Sequence, residues 1–322
     1  MEHRSYMGSR LGTVFCSAIL LLSISATPLN ASESGDSAEE RMISVIETVP
    51  HDPGAFTQGL EIFNGILFES TGLYGHSGLR KVDTTDGSVI SQVSIDGTYF
   101  GEGITIFNNS VIMLTWRNGT ALVFDSEDLS VEGEFSYQGE GWGICFNGDF
   151  LVMSNGTSLL TFRDPDSFEF SHSISVTWNG NPVTRLNELE CVGELILANV
   201  WLQDVIVAIN STTGNVEYSA SAGFLSENQG STANEVLNGI AFDSSRQGFW
   251  ITGKNWTEMY LVTFDSQNGE LLSESGSKYG HMEISSELLV IATVLVFFFT
   301  VVMQRKMPNF KDPPRGDDDG DG

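Results

Sequence analysis

Gln58-Gly-Leu-Glu-Ile-Phe63, Glu102-Gly-Ile-Thr-Ile-Phe107, Trp142-Gly-Ile-Cys-Phe146, Asn187-Glu-Leu-Glu-Cys191 and Asn238-Gly-Ile-Ala-Phe242 can be laid on one another. Each is followed by a short polar turn and a second apolar run, as in Asn64-Gly before Ile66-Leu-Phe and Asn147-Gly-Asp before Phe150-Leu-Val-Met. Asn-Gly turns between apolar runs signal β-hairpins. Further on, each unit carries a third and fourth strand around Asp83, Asp125, Asp164, Asn210 or Asp265, residues whose side chains suit Asx turns. The openings at 58, 102, 142, 187 and 238 lie roughly 40–50 residues apart, the period of four-stranded repeats arranged as blades. The chain therefore reads as all-β, a five-bladed β-propeller over residues 42–275. The strand Met42-Ile-Ser-Val-Ile-Glu-Thr48 precedes the first opening and is expected to complete the last blade, closing the ring. A polar insertion, Gly223 to Glu235, separates blades four and five and reads equally as an inert loop or a lid.

Both ends carry targeting patterns. Arg4 and Arg10 precede the apolar run Leu11–Ile24, with small residues at Ser25-Ala26 and again at Ala31, which reads as a signal peptide over 1–26 and a linker over 27–41. Leu288 to Met303 is free of charge and would extend about 24 Å as a helix, enough for a short span at 288–304 after a juxtamembrane linker at 276–287. Arg305, Lys306, Lys311 and Arg315 follow at once, which assigns 305–322 to the cytoplasm. The expected protein is thus a single-pass membrane protein with its propeller outside the cell, and a monomer.

With 42 acidic against 15 basic residues the net charge is -27, which disfavours nucleic acid and reads first as solubility and second as attraction for cationic or amine-bearing partners. Cys16 would leave with the signal; Cys145 and Cys191, on the opening strands of neighbouring blades, could pair, with two buried free thiols the favoured reading. Asn30, Asn108, Asn118, Asn155, Asn210 and Asn255 each begin an Asn-x-Ser/Thr sequon, as suits an exported domain.

The scaffold explains the shared Gly and aliphatic positions, but not why the opening residues are Gln, Glu, Trp, Asn and Asn. The first strand of each blade lies nearest the axis, so these five form a ring at one channel mouth. The outgoing ends of the second strands return there with Trp116, Trp201 and Lys254, one of five lysines in the chain. Phe56 and Phe100, two residues before Gln58 and Glu102, fall on the same strand face. A carboxylate among aromatics is desolvated, which raises its pKa and suits it to proton transfer. His51, His76, His172 and His281 lack zinc-ligand spacing, and no phosphate-binding glycine loop or nucleophile elbow is present, so no metal ligands are assigned. Two functions fit such a ring: an enzyme, or a membrane-tethered propeller that binds a peptide or glycan without catalysis.

Several ordered motifs carry a resemblance. His51-Asp-Pro-Gly-Ala-Phe-Thr-Gln-Gly-Leu60, Glu69-Ser-Thr-Gly-Leu-Tyr-Gly75, Leu114-Thr-Trp-Arg117, Gly139-Glu-Gly-Trp-Gly143, Leu186-Asn-Glu-Leu-Glu190, Ala198-Asn-Val-Trp201 and Thr252-Gly-Lys-Asn-Trp256 are similar to the plant and microbial type of glutaminyl-peptide cyclotransferase. The resemblance runs from about Ile43 to Phe264. It implies a five-bladed propeller that converts the N-terminal Gln of a peptide or protein to pyroglutamate with release of ammonia. It also implies that no cofactor is required, with a structural calcium in the channel left open. Residue by residue, it carries Phe56, Gln58, Phe100, Trp116, Trp142 and Trp201 over as substrate-binding residues and Glu102, Lys254 and Asn187 as catalytic ones. Glu102 is the expected proton shuttle, and Lys254 with Asn187 or Gln58 the expected oxyanion donors. Asn238 fits the ring but is secondary. The C-terminal anchor and the acidity depart from the plant pattern and bear on the physiological substrate rather than the chemistry.

Overall fold

Asn64 and Gly65 both take positive φ, as do Asn108 and Asn109, so the first hairpins of the first two repeats close through the tight turns their residues favour. In the computed structural model, residues 38–229, 232 and 235–266 are described. A long strand, β1 (Glu39–Pro50), comes first. Blade one follows as β2 (Thr57–Phe63), β3 (Ile66–Thr71), β4 (Gly78–Val82) and β5 (Val89–Ser94). Blade two is β6 (Gly101–Phe107), β7 (Ser110–Thr115), β8 (Thr120–Asp125) and β9 (Val131–Ser136). Blade three is β10 (Ile144–Phe146), β11 (Leu151–Met153), β12 (Leu159–Arg163) and β13 (Phe170–Ser175). A two-residue-strand hairpin, β14 (Thr177–Trp178) and β15 (Asn181–Pro182), precedes blade four. That blade is β16 (Leu186–Val192), β17 (Leu195–Val200), β18 (Val205–Asn210) and β19 (Val216–Ser221). A short helix, α1 (Gly223–Asn228), leads to β20 (Leu237–Asp243), β21 (Gly248–Gly253) and β22 (Glu258–Ser266) of blade five.

Each blade is an antiparallel meander, and the innermost strands β2, β6, β10, β16 and β20 neighbour one another in a closed circuit. The fourth strand of blade five is β1, which pairs antiparallel with β22 from Arg41↔Ser266 to Pro50↔Glu258. The expected closure by the early strand is therefore observed. The strand also does something its sequence did not signal: Glu39 to Arg41 pair parallel with Tyr218 to Ala220 of β19, merging blades four and five into one eight-stranded sheet. A bulge between Val45 and Glu47 interrupts its pairing with β22.

Apolar residues pack between blades rather than around one centre. Phe68 and Leu79 of blade one meet Ile104, Met113 and Phe124 of blade two in a single buried cluster, and similar clusters fill the other blade interfaces. The outer strands β5, β9 and β13 are mostly exposed. Close approach at the axis depends on glycine: a Cβ on Gly59 would lie 2.6 Å from the Ile104 nitrogen, and one on Gly103 would lie 2.7 Å from the Gly143 Cα. The fourth blade has Glu188 at the equivalent position, and its carboxylate accepts the Leu60 and Ile240 N–H groups at 3.2 and 2.9 Å. It thus links three blades.

The cysteines correct the free-thiol expectation: Cys145 and Cys191 form a disulfide between β10 and β16, with Cα atoms 5.4 Å apart. Adjacent inner strands bring into bonding range two residues 46 apart in sequence. The insertion between blades four and five is fixed to blade five. The Gln229 amide donates to Glu258 and to the Tyr260 hydroxyl at 3.0 and 2.6 Å and accepts the Thr257 N–H at 2.7 Å. Among the described residues no helix is long and apolar enough to cross a membrane. The expected signal peptide, the membrane helix at 288–304, the cytoplasmic tail and residues 267–275 of the expected propeller lie outside the described residues.

Candidate active site

The opening residue of four blades sits at a break in strand register. Thr57 pairs with Thr71 but Gly59 pairs with Ser70, leaving Gln58 as the extra residue of a bulge. The same shift brackets Glu102 between Gly101 and Ile104, Asn187 between Leu186 and Leu189, and Asn238 between Leu237 and Ile240. A bulge releases a side chain from the strand's in-out alternation, so these residues are re-aimed relative to the core residues that follow. In blade three β10 starts later, and Trp142 precedes it, donating its N–H to the Ser154 carbonyl at 3.1 Å.

Polar residues form the floor. Gln58, Glu102, Asn187, Asn238 and Lys254 are all buried. The Asn187 amide donates to Asn238 Oδ1 at 2.7 Å, and the Asn238 amide donates to the Thr57 carbonyl at 3.0 Å and to Gln58 Oε1 at 3.3 Å. Asn238, secondary in the sequence reading, is thus the link that orients both its neighbours. With its oxygen accepting from Asn238, Gln58 keeps both amide hydrogens for a ligand, whereas Asn187 has spent one.

Aromatic residues form the half-exposed wall. Phe100 stands edge-on to Phe56 at 6.3 Å and to Trp116 at 5.6 Å between centroids, and Trp142 is edge-on to Trp201 at 5.5 Å. Floor and wall meet at Gly72, where a Cβ would strike the Phe100 ring and lie 2.9 Å from Gln58 Nε2. Lys254 Nζ lies 4.9 Å from the centre of the Phe56 ring. All nine site residues expected from the sequence are therefore in or beside one cluster. Two participants were missed: Tyr74, edge-on to Phe100 at 5.4 Å, and Glu140, which accepts the indole N–H groups of Trp116 and Trp142 at 2.9 and 3.1 Å. The Gly139-Glu-Gly-Trp motif held the signal for Glu140.

The two buried charges tune one another. Burial raises the Glu102 pKa well above the ordinary carboxylate value; Lys254 opposes that rise and Glu140 adds to it. Burial lowers Lys254 to about 8, against the attraction of Glu102. An acid and a base moved toward neutrality in one pocket can exchange protons near physiological pH.

A second network holds the segments that carry Phe56 and Lys254. His51 Nδ1 donates to the Trp256 carbonyl at 2.8 Å, while its Nε2 meets Glu69 Oε1 at 3.0 Å. Thr57 and Arg80 also donate to Glu69, at 2.7 and 2.8 Å. Burial would push Glu69 up, but His51, Arg80 and Thr57 outweigh it and hold the pKa at about 2. The residue after the insertion contributes too: the Lys254 N–H donates to the Val236 carbonyl at 2.9 Å.

Three residues further along the inner strands, Glu61, Thr105, Cys145 and Glu190 form a second layer, lining a pocket of about 330 Å³. Burial raises Glu190 and Glu188 well above the usual range and Glu61 to about 7, although Thr105 donates to Glu61 at 3.1 Å. Glu190 Oε2 is buried with no hydrogen-bond partner. Glu188 is committed to two backbone N–H groups, and among the described residues no three His, Cys, Asp or Glu side chains group around one point. Because the folded state retains a proton on Glu190 that the unfolded chain releases above about 4.5, stability should fall as pH rises through that range. Glu190→Gln is expected to remove that fall. In thermal melts its Tm should exceed the parent's at about pH 8 by at least about 2–4 °C, the shift that 1 kcal/mol gives in a domain of this size, and should converge with it at about pH 4.

Comparison with known proteins identifies the family. The chain is 40% identical over 227 residues to a glutaminyl-peptide cyclotransferase of Arabidopsis thaliana, covering 68% of this chain and 70% of that protein. The crystal structure of Myxococcus xanthus glutaminyl cyclase superposes with a TM-score of 0.68 at 32% identity, covering 71% of this chain and 99% of that one. The glutamine cyclotransferase family profile matches residues 16–264, and the chain belongs to that family.

Proposed function

We propose that the protein converts the N-terminal Gln of peptides or proteins to pyroglutamate, with release of ammonia, in the pocket built on Gln58, Glu102, Asn187 and Lys254. The substrate's α-nitrogen attacks its own γ-carboxamide carbon, forming the ring C–N bond and a tetrahedral oxyanion. Glu102 takes the proton released by that nitrogen and delivers one to the departing amide nitrogen, whose C–N bond then breaks to give ammonia. Lys254 and the free amide hydrogens of Gln58 are the donors for the oxyanion, and Asn187 offers its carbonyl and one remaining hydrogen to the carboxamide. Ring closure within one molecule leaves the enzyme chiefly to fold a flexible side chain into attacking geometry. The wall of Phe56, Phe100, Trp116, Trp142 and Trp201 does this.

The observation that carries the reading is the burial of Glu102 and Lys254 together behind that wall; a pure peptide or glycan binder has no use for a desolvated acid-base pair. The test is ammonia release from a Gln-initiated dipeptide by the purified full chain, with and without a chelator. Release in both arms is the expected result. No release in either would return the protein to the binders, and loss only with chelator would route the reaction through a metal.

The same reading places the activity outside the cell, tethered as a monomer through the apolar run at 288–304. Its support is the basic cluster Arg305, Lys306, Lys311 and Arg315 directly after that run.

A further inference from the structure

Glu140 lies in the connection from β9 to β10, outside the ring of opening residues. One of its oxygens accepts an indole N–H from each of two blades, Trp116 of blade two and Trp142 of blade three. Its other oxygen accepts from Arg117 Nε at 3.0 Å, and the Arg117 guanidinium stacks 3.7 Å over the Trp116 ring. The main chain reinforces the link, since the Gly141 N–H donates to the Trp116 carbonyl at 3.1 Å. The carboxylate is 37% exposed while Glu102 is buried, so one negative charge stands at the opening and the other inside.

We infer that Glu140 is a positioning residue for cyclisation. It ties two indoles from different blades into one wall and holds a fixed negative charge at the opening, where the substrate's α-ammonium group arrives. The inference rests on the cyclisation reading of the pocket. Each part follows from the contacts. Without Glu140 neither indole N–H has its partner, and the two rings lose their common anchor across the blade boundary. Burial would raise the Glu140 pKa, but the bonds from Trp142, Arg117 and Trp116 outweigh it and keep the group ionised. That charge is felt by Glu102 alongside that of Lys254, and Glu102 in turn helps to raise the pKa of the Tyr137 hydroxyl. Removing the Glu140 charge while keeping the hydrogen bonds should therefore make Glu102 easier to ionise.

The experiment compares Glu140→Gln and Glu140→Ala with the parent on a Gln-initiated dipeptide across pH, with Glu102→Gln as the control for the pocket itself. The Gln variant keeps an oxygen for the indoles but loses the charge. Its acid limb in kcat/KM is expected to move to lower pH by roughly half a unit or more. The Ala variant is expected to raise KM about tenfold or more through misplacement of the wall, with the Gln variant restoring most of that loss. A parent-like KM in the Ala variant, or an unshifted acid limb in the Gln variant, overturns the inference when Glu102→Gln is inactive. A fully active Glu102→Gln instead overturns the pocket reading. If the Ala variant fails to fold, the pH profile of the Gln variant decides alone.

Discussion

Glu102→Gln is expected to reduce kcat by about 10²- to 10⁴-fold, the contribution of a positioned general acid-base group, with the fold retained. The substitution is nearly isosteric, and no hydrogen bond to the Glu102 carboxyl exists among the described residues for it to break. The strain it relieves is electrostatic: burial of the carboxyl, with a smaller contribution from Glu140, outweighs the attraction of Lys254 and opposes its ionisation. Thermal stability should therefore be equal to or above the parent's, which separates loss of chemistry from loss of structure. The residual activity should also lose the acid limb of the parent's pH profile, a limb placed above the ordinary Glu range because the Glu102 pKa is raised. A variant with full turnover would take Glu102 out of the mechanism.

Lys254→Met is expected to lower kcat by about 10²- to 10³-fold, the usual cost of removing one oxyanion donor. The parent's kcat should decline on the alkaline side near about 8, as Lys254 gives up its proton, and the variant should lack that decline. The profile must be taken in kcat at saturating substrate, because a free α-amine titrates at about 7.7–8.0 and would imprint its own limb on kcat/KM. Glu102 and Lys254 each shift the other's proton affinity, so the double variant should cost less than the product of the single losses. A parent-like alkaline limb in Lys254→Met would assign it to another group.

Much of this pocket could be read along the chain because propeller geometry converts a repeat into a ring. Equivalent positions in successive blades must meet at the axis, so unlike residues at 58, 102, 142 and 187 implied a site. Hairpin pairing brought Trp116, Trp201 and Lys254 to the same mouth, as the pairings Gly101↔Thr115, Leu186↔Val200 and Leu237↔Gly253 bear out. The disulfide escaped because bonding range between β10 and β16 depends on how closely two blades approach, a distance no repeat spacing encodes. Glu140 escaped because it lies in a connection rather than at a repeated position. The His51–Glu69–Arg80 network escaped because its members sit on separate segments with no common period.

By itself the sequence determined what periodicity can express: five four-stranded blades, closure by an early strand, glycines at the axis, and which residue types face one another. Only the tertiary structure decided how those side chains are deployed. Register breaks at Gln58, Glu102, Asn187 and Asn238 turn them away from the strand alternation, and Asn238 becomes the bridge between two amides. The physical reason is that alternation and spacing are properties of a chain. Burial, charge coupling and hydrogen bonds across blades are properties of distance in space, set only when the ring closes.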